Sequence, residues 1–384
     1  MEPRSKEMIA RLVSFDTVSS RSNLALIDWV RDYLDGYGIE SRLVPNAEGT
    51  KANLFASIGP AAEGGVVLSA HTDVVPVDGQ PWDSDPFTVV ERDGRLYGRG
   101  TADMKSFPAV ALALLPEMLE AGLKRPVHLA LSYDEEVGCF GAPDMIRRMA
   151  AELPRPSAVI VGEPTSMRTV VAHKGTYALR TTVTGHEAHS SQLHRGVSAV
   201  MTAARLVGFI ADMTAQNAAA ADPASPFEPP YTTLHVGTFA GGTALNIMAR
   251  HAEFLWDIRP VTGDDWSRYL ARFEAYCRDV VLPEMHRIAP DCTIRTEVLA
   301  GAPGLNPDPD GEAACLVRSL TGRNDTAVVP YGAEAGQFQE AGFSTVMCGP
   351  GSIDQAHQPN EFIETTQVAA CERFLRSLVR RLAA

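Results

Sequence analysis

The chain of 384 residues carries 34 basic and 47 acidic side chains, a formal net charge of −13. This excess of negative charge disfavours nucleic acids and anionic membranes as partners, because both attract basic surfaces. Hydrophobic residues make up 45% of a chain too long for one ordinary core, so we expect two globular domains.

Residues 1–7 carry mixed charge without an apolar run, and no apolar stretch reaches the length of a membrane span. We therefore expect neither a signal peptide nor a membrane anchor. Six cysteines are scattered without a CxxC pair, which favours free thiols in the cytoplasm over a disulfide framework.

In the first half of the chain, helical and strand patterns alternate. Apolar periodicity predicts helices over 5–14, 23–37 and 106–122. Short apolar, β-branched runs predict strands at 53–58, 65–70, 127–133 and 159–161. This alternation predicts an α/β fold with a mostly parallel sheet covered by helices.

From residue 176 the pattern changes. Strands are expected at 177–183, 232–239, 249–258 and 293–299, with helices over 196–213 and 264–281. The order β-α-β-β-α-β is that of a ferredoxin-like α+β unit. Strands at 326–329 and 344–348 and a C-terminal helix then return to the first pattern. We therefore expect one domain from residues 1–175 and 302–384, with an inserted second domain over 176–301.

Acidic and imidazole side chains follow the predicted strands of the first domain. The candidates are His71, Asp73, Asp103, Glu135, Glu136, Glu163 and, near the C-terminus, His357. Because parallel strands place their carboxyl ends at one edge of a sheet, we expect these groups to meet in one crevice. Carboxylates and imidazoles suit Zn²⁺, Co²⁺ or Mn²⁺. Unpaired buried carboxylates are costly, so their concentration favours a metal site over core packing.

Taken singly, the same residues allow simpler interpretations. His71 is equally consistent with a strand-end histidine, and Asp103 with a helix N-cap. Glu135 and Glu136 alone are more typical of a solvated acidic turn. The i, i+2 spacing of His71 and Asp73 suggests that the carboxylate orients the imidazole.

Longer segments resemble the M20 family of di-zinc metallohydrolases. The resemblance is carried by residues 69–76 (SAHTDVVP), 98–105 (GRGTADMK) and 134–136 (DEE), and supported by 161–165 (VGEPT), 172–175 (AHKG), 185–191 (GHEAHSS) and 348–352 (CGPGS). It runs in order from about Leu54 to Glu361. It implies a zinc-aminopeptidase-like catalytic domain with an inserted lid and dimerisation domain.

The resemblance also implies two divalent metal ions, Zn²⁺ first, with Co²⁺ or Mn²⁺ as alternatives. Asp103 would bridge them. His71 and Glu163 would complete one position, and Glu136 and His357 the other.

The implied catalytic roles fall to three residues. Glu135 would be general base and acid, and Asp73 would hold His71. His189 of the inserted domain would stabilise the oxyanion in the partner subunit of a homodimer. The peptide bond after Asp103 would be cis.

The implied substrate contacts are less specific. Asn246 and Arg259 match positions of the inserted domain that hold substrate in related enzymes. Glu334 lies near the expected substrate pocket and follows Ala333, where serine or threonine is more usual.

The implied reaction is hydrolysis of a linear amide, with N2-acetyl-L-ornithine as substrate and L-ornithine and acetate as products. Three alternatives stay open. The chain is another amidohydrolase of the same fold (succinyl-diaminopimelate desuccinylase, aminoacylase or a carboxypeptidase-like peptidase), a non-catalytic binding relative, or a cation-binding protein without hydrolysis. The presence of Glu135 argues against the second, because a binding module needs no general base.

Overall fold

The computed structural model describes residues 1–384, which divide into two compact units. The first unit comprises Met1–His173, Leu305–Val328 and Ala333–Ala384, and the second Lys174–Gly304 and Val329–Gly332. None of the helices is both long and apolar enough to cross a membrane. All six cysteines are free.

An eight-stranded mixed sheet forms the centre of the first unit. Its strands are β1 (Ser41–Pro45), β2 (Ala52–Ile58), β3 (Val66–His71), β6 (Val127–Ser132), β7 (Ala158–Pro164), β8 (Thr169–His173), β13 (Thr326–Val329) and β14 (Thr345–Gly349), in the order β1-β2-β6-β3-β7-β14-β8-β13. The four neighbours β6, β3, β7 and β14 are parallel, whereas β2 pairs antiparallel with β6 and β8 antiparallel with β14. The expected parallel sheet is therefore confirmed at its centre, with antiparallel strands on both sides.

Helices and a small sheet complete the first unit. The helices are α1 (Pro3–Val13), α2 (Leu24–Asp35), α3 (Ser106–Ala113), α4 (Leu115–Glu120), α5 (Ala142–Glu152), α9 (Glu312–Thr321), α10 (Ala335–Glu340) and α11 (Thr365–Ala383). A separate three-stranded sheet consists of β4 (Val90–Arg92), β5 (Arg95–Tyr97) and β15 (Phe362–Glu364), in the order β15-β5-β4.

Close packing of α3 on β7 brings two candidate ligands together. A Cβ atom at Gly162 would lie 2.0 Å from the ring of Phe107, so only glycine permits the ring to lie against the strand. Gly162 directly precedes Glu163, and Phe107 follows Asp103 by four residues. This contact helps hold the Asp103 loop beside the end of β7.

Two helices that were predicted to be continuous are interrupted. The predicted helix 106–122 is divided at Leu114, because Pro116 cannot donate a backbone hydrogen bond to the preceding turn. The predicted helix 264–281 is α7 (Ser267–Tyr276), followed by a π-helical turn, Cys277–Val281, and α8 (Leu282–His286), which contains Pro283. Both predictions missed these breaks.

The second unit is a four-stranded antiparallel sheet with helices. Its strands are β9 (Thr176–Thr184), β10 (Thr233–Gly241), β11 (His251–Arg259) and β12 (Thr293–Ala302), in the order β10-β11-β9-β12. The long helix α6 (Ala199–Ala219) begins at Ser198, whose hydroxyl caps the Met201 amide. The element order is β-α-β-β-α-β, and a separate hydrophobic core includes Phe254, Trp256 and Phe273.

His128 on β6 is a buried polar residue at some distance along the strand from the candidate ligands. It is 1% exposed, and its Nδ1 lies 2.8 Å from the Ser57 hydroxyl. Its Nε2 has no hydrogen-bond partner. Burial disfavours the protonated ring and lowers the pKa of His128 to about 4.

This burial predicts acid-dependent stability. The unfolded chain protonates His128 below a pH of about 6.5, whereas the folded chain does so only near pH 4, so stability falls as pH falls through this window. Between pH 7 and pH 5 we expect the wild type to lose about 2 kcal/mol more stability than His128→Gln. Urea unfolding at both pH values measures this difference. His251→Gln, at an exposed position on β11, is the matched control; parallel losses in wild type and His128→Gln would contradict the assignment.

Candidate metal centre

The candidate ligands lie at the carboxyl ends of adjacent parallel strands, as expected. His71 ends β3, Glu163 lies at the end of β7, and Glu135 and Glu136 follow β6. The loop between β5 and α3 adds Asp103. The order of the strands in the sheet therefore brings residues that are far apart in the sequence together in one cluster.

Asp103 lies between two histidines. Its Oδ1 is 3.0 Å from His71 Nε2, and its Oδ2 is 3.5 Å from His357 Nε2. His357 Nε2 is also 3.0 Å from Glu136 Oε2, and His71 Nε2 is 4.0 Å from Glu163 Oε1. One oxygen of Asp103 thus faces His71 and the other faces His357, which is the arrangement a bridging ligand requires. The Asp103–Met104 peptide bond is cis, as the resemblance implied.

The donor set fits divalent cations. Donor atoms of His71, Glu135 and Glu163 lie within 4.8 Å of one another, as do those of His71, Asp103 and Glu136. Imidazole nitrogen and carboxylate oxygen are ligands for Zn²⁺, Co²⁺ and Mn²⁺. The ion pairs of Asp103, Glu136 and Glu163 are all with histidines, so no lysine or arginine neutralises them. Bound cations would supply that missing charge.

The raised pKa values of residues in this cluster show that the buried negative charges favour a nearby positive charge. Burial, reinforced by neighbouring carboxylates, raises the pKa of Glu135 to about 8 and that of Glu136 to about 7. Hydrogen bonds to Asp103 and Glu136 raise the pKa of His357 to about 10. A metal-free cluster therefore holds protons, and metal ions would displace them.

Asp73 acts differently from the expectation. Its carboxylate is 3.7 Å from His71 Nδ1, whereas its backbone carbonyl oxygen is 2.9 Å away and accepts the Nδ1 proton. This leaves His71 Nε2 free to bind a cation. The Asp73 carboxylate instead accepts hydrogen bonds from the Glu135 and Glu136 amides at 3.1 and 3.3 Å and from the Ser19 hydroxyl at 2.6 Å. The Asp73 carboxylate therefore lies within ion-pair distance of His71, but its hydrogen bonds hold the turn that carries Glu135.

Glu334 was expected to contact substrate, and the structure places it in the interior. It is 1% exposed, and its two oxygens accept hydrogen bonds from the hydroxyls of Ser69 and Ser132, each at 2.6 Å. Both oxygens are therefore engaged by β3 and β6. In this geometry Glu334 joins β3 and β6, which gives no support to the expectation of substrate contact.

The other predicted residues lie in the second unit. His189 and Asn246 are neighbours, since the Ser190 amide donates to the Asn246 carbonyl. The Ser191 amide donates to His189 Nδ1 at 3.2 Å, so the neutral ring carries its proton on Nε2, which is free to donate. Arg259 is not beside them. It ends β11, roughly 25 Å along the strand from His251, which follows the Asn246 turn.

Two further contacts of the cluster were not predicted. The Cys139 thiol donates to Glu135 Oε1 at 3.3 Å. Arg99 and Glu361 form a buried ion pair at 2.7 Å, each side chain 1% exposed. Arg99 was visible beside the Asp103 motif, and a buried arginine demands a buried acid. The expectation that a buried arginine has a buried acidic partner could have identified Glu361 as a candidate.

Comparison with known proteins assigns this geometry to a family. The sequence profile described as peptidase family M20/M25/M40 matches residues 67–381. The acetylornithine deacetylase of Shigella sonnei (strain Ss046) is 37% identical over 340 residues, covering 88% of this chain and 85% of that protein.

Solved structures share the fold at low sequence identity. A tripeptidase from Staphylococcus aureus has a TM-score of 0.76 and 19% identity, with 99% of this chain and 98% of that chain covered. An M20 family metallo-carboxypeptidase from Sulfolobus solfataricus has a TM-score of 0.77 and 17% identity, with both chains fully covered. Human carnosine dipeptidase 1 has a TM-score of 0.75 and 16% identity, with 99% and 97% covered.

Proposed function

The chain belongs to peptidase family M20/M25/M40, a family of metal-dependent hydrolases of amide bonds, and we propose that it removes the acetyl group of N2-acetyl-L-ornithine. The products would be L-ornithine and acetate, as in arginine biosynthesis. The observation that carries the proposal is the 37% identity to an acetylornithine deacetylase over most of both chains. The six free cysteines fit an enzyme of the reducing cytoplasm.

The proposed metal ligands are His71, Asp103, Glu136, Glu163 and His357, with Asp103 shared by two ions. Zn²⁺ suits this set, and Co²⁺ or Mn²⁺ would be accepted in its place. When bound, the ions supply positive charge that acidifies a water molecule and polarises the scissile carbonyl.

Glu135 is the proposed general base and acid. Its carboxylate lies beside the proposed metal ligands, since its donor oxygen is within 4.8 Å of those of His71 and Glu163, and a carboxylate there can exchange a proton with a nearby water molecule. Asp73 fixes the backbone of the turn, and Cys139 donates to Oε1. Glu135 would remove a proton from the attacking water and deliver it to the leaving amine.

The proposed oxyanion donor is His189 of the partner subunit. Its Nε2–H is free because Nδ1 accepts from Ser191. A dimer formed through the second unit is supported by exposed apolar side chains there, with Met201 72% and Leu193 70% exposed, and by the unpaired outer edges of β10 and β12. Asn246 and Arg259 would hold substrate.

A substrate panel tests the proposed reaction. Zn²⁺- and Co²⁺-loaded protein is assayed for amine release from N2-acetyl-L-ornithine, N-succinyl-diaminopimelate, N-acetyl-methionine and a dipeptide. We expect kcat/KM for acetylornithine to exceed the others by about 10-fold or more, since differences in substrate side chain and acyl group are discriminated on this scale. A higher kcat/KM for the dipeptide would make the protein a peptidase. Metal-loaded protein without turnover of any amide would make it a binding protein.

Substitution of Glu135 tests the mechanism. Glu135→Gln keeps the shape of the side chain and removes the proton transfer, so we expect kcat to fall by about 10²- to 10⁴-fold with metal content near two ions per chain. Glu136→Gln is the matched comparison and should lose one ion together with activity. Metal analysis beside steady-state kinetics separates the two outcomes. Turnover near the wild-type rate in Glu135→Gln would rule out the proposed base.

Mixing of two inactive variants tests whether His189 acts across a dimer. His189→Ala should lose about 10²-fold or more in kcat without losing metal, as removal of an oxyanion donor does. Mixed with Glu135→Gln, it should recover activity, because one site in each heterodimer combines intact Glu135 with intact His189. His194→Ala, an exposed histidine three residues beyond Ser191, should behave as wild type. Light scattering confirms that dimers form, and co-purification of differently tagged chains confirms that they exchange; exchange without recovered activity would show that His189 does not act in trans.

A further inference from the structure

The small sheet β15-β5-β4 lies between two of the loops that carry proposed ligands. Strand β5 leads into the loop 98–103, which ends at Asp103, and β15 directly follows the segment 357–361, which begins at His357. The two strands pair antiparallel, with Phe362 opposite Tyr97. The ladder continues by one bond, from the Gly98 amide to the Glu361 carbonyl at 2.9 Å. This bond places Glu361 opposite Gly98, next to Arg99 in the sequence, and the Arg99 and Glu361 side chains form an ion pair.

Glu361 fixes the backbone of the Asp103 loop. Its Oε1 accepts three hydrogen bonds, from the amides of Gly100 at 3.0 Å, Ala102 at 2.8 Å and Asp103 at 3.1 Å. One carboxylate oxygen therefore defines the path of the chain up to the ligand itself. Its Oε2 is 2.7 Å from Arg99 Nη1.

Arg99 extends this contact to the loop that carries His357. Its Nη2 donates to Gln80 Oε1 at 2.6 Å, and Gln80 Nε2 donates to the His357 carbonyl at 3.0 Å. A second, longer contact joins Arg99 Nη1 to the Gln358 carbonyl at 3.4 Å. The His357 side chain is half exposed, and the side-chain contacts described for its ring are those to Asp103 and Glu136 of the cluster. The chain Glu361–Arg99–Gln80 links its backbone to that of Asp103.

A carboxylate suits this position better than any neutral side chain. The amide of a glutamine could accept from the three backbone groups, but its NH₂ would then face the donors of Arg99. Arg99 would lose its only acidic partner while remaining buried. The loop contact and the ion pair thus depend on one negative group.

We propose that Glu361 is a positioning residue that sets the separation of the Asp103 and His357 loops, and with it the metal position these two residues share with Glu136. The inference rests on the proposed metal centre. The small sheet β15-β5-β4 would then hold the two loops that carry Asp103 and His357 at a fixed separation. The alternative is that the ion pair only stabilises the fold.

Cobalt binding distinguishes these roles. Full-length protein is stripped of metal and titrated with Co²⁺, followed by visible absorption and calorimetry. His357→Ala supplies the reference spectrum of a chain lacking the position in question. In Glu361→Gln we expect the Co²⁺ affinity of that position to fall about 10- to 100-fold, because losing a contact that supports a metal ligand typically has an effect of this size. At limiting Co²⁺ the absorption spectrum of Glu361→Gln should be close to that of His357→Ala. Gln80→Ala, which leaves no charge unpaired, should shift affinity in the same direction by less.

Glu372→Gln is the matched control. Glu372 is also a buried glutamate, 3% exposed, but its carboxylate accepts from the Glu2 amide, near the chain's first residue. This variant should lose stability and keep both Co²⁺ affinities and the wild-type spectrum. If Glu361→Gln does the same, the positioning role is overturned.

Two further outcomes are decisive. Should Glu361→Gln fail to fold, Arg99→Met/Glu361→Gln removes both buried charges and is expected to show the same selective loss of Co²⁺; wild-type binding in the double variant overturns the proposal. A wild-type chain that binds fewer than two Co²⁺ ions overturns the metal centre itself, and the positioning role with it.

Discussion

The structure depends on the burial of several negative charges at one edge of a parallel sheet. Asp103 and Glu163 are 6% and 4% exposed, and Glu135 and Glu136 lie within the same cluster. Such a cluster is unfavourable unless cations neutralise it. The histidines can do so only when protonated, whereas two divalent ions would do so while leaving the imidazoles neutral. The unfavourable electrostatics of the metal-free cluster are therefore the same property that would give the site its affinity for metal.

The fold holds this cluster with carboxylates that are not ligands themselves. Asp73 accepts the amides of Glu135 and Glu136, Glu361 accepts the amides of the Asp103 loop, and Glu334 accepts hydroxyls from β3 and β6. Each has its oxygens occupied by backbone amides, hydroxyl groups or a guanidinium. Acidic residues thus serve two purposes here. Those with satisfied oxygens shape the loops, and those facing only imidazoles are available to cations.

The sequence predicted the cluster because its signal is local. His71 and Glu163 lie at the ends of short apolar runs, and the strand-end rule then places them at one edge of the sheet. The partners of Asp73 and Glu334 were not predictable in this way, because a carboxylate's acceptor bonds depend on where distant loops pass. Strand β1 was also missed: only Val44 in it is buried, so it has no apolar pattern, and its pairing with β2 defines it. Helix α9 was missed because alanines form much of its buried face, although Gly322, with a left-handed φ of 70°, marks its end.

The residues proposed for the reaction and those proposed for substrate selection lie in different parts of the chain. Hydrolysis of an amide requires positive charge and a base, and the residues proposed for both roles lie in the first unit. Recognition of what flanks the amide requires other contacts, and the candidates His189, Asn246 and Arg259 lie in the second unit. The solved relatives include a tripeptidase, a carboxypeptidase and a dipeptidase with TM-scores of 0.75 to 0.77. Structures of this fold are thus named for different amide substrates, so the fold alone does not indicate the substrate. The substrate must instead be determined by side chains that contact the groups flanking the amide.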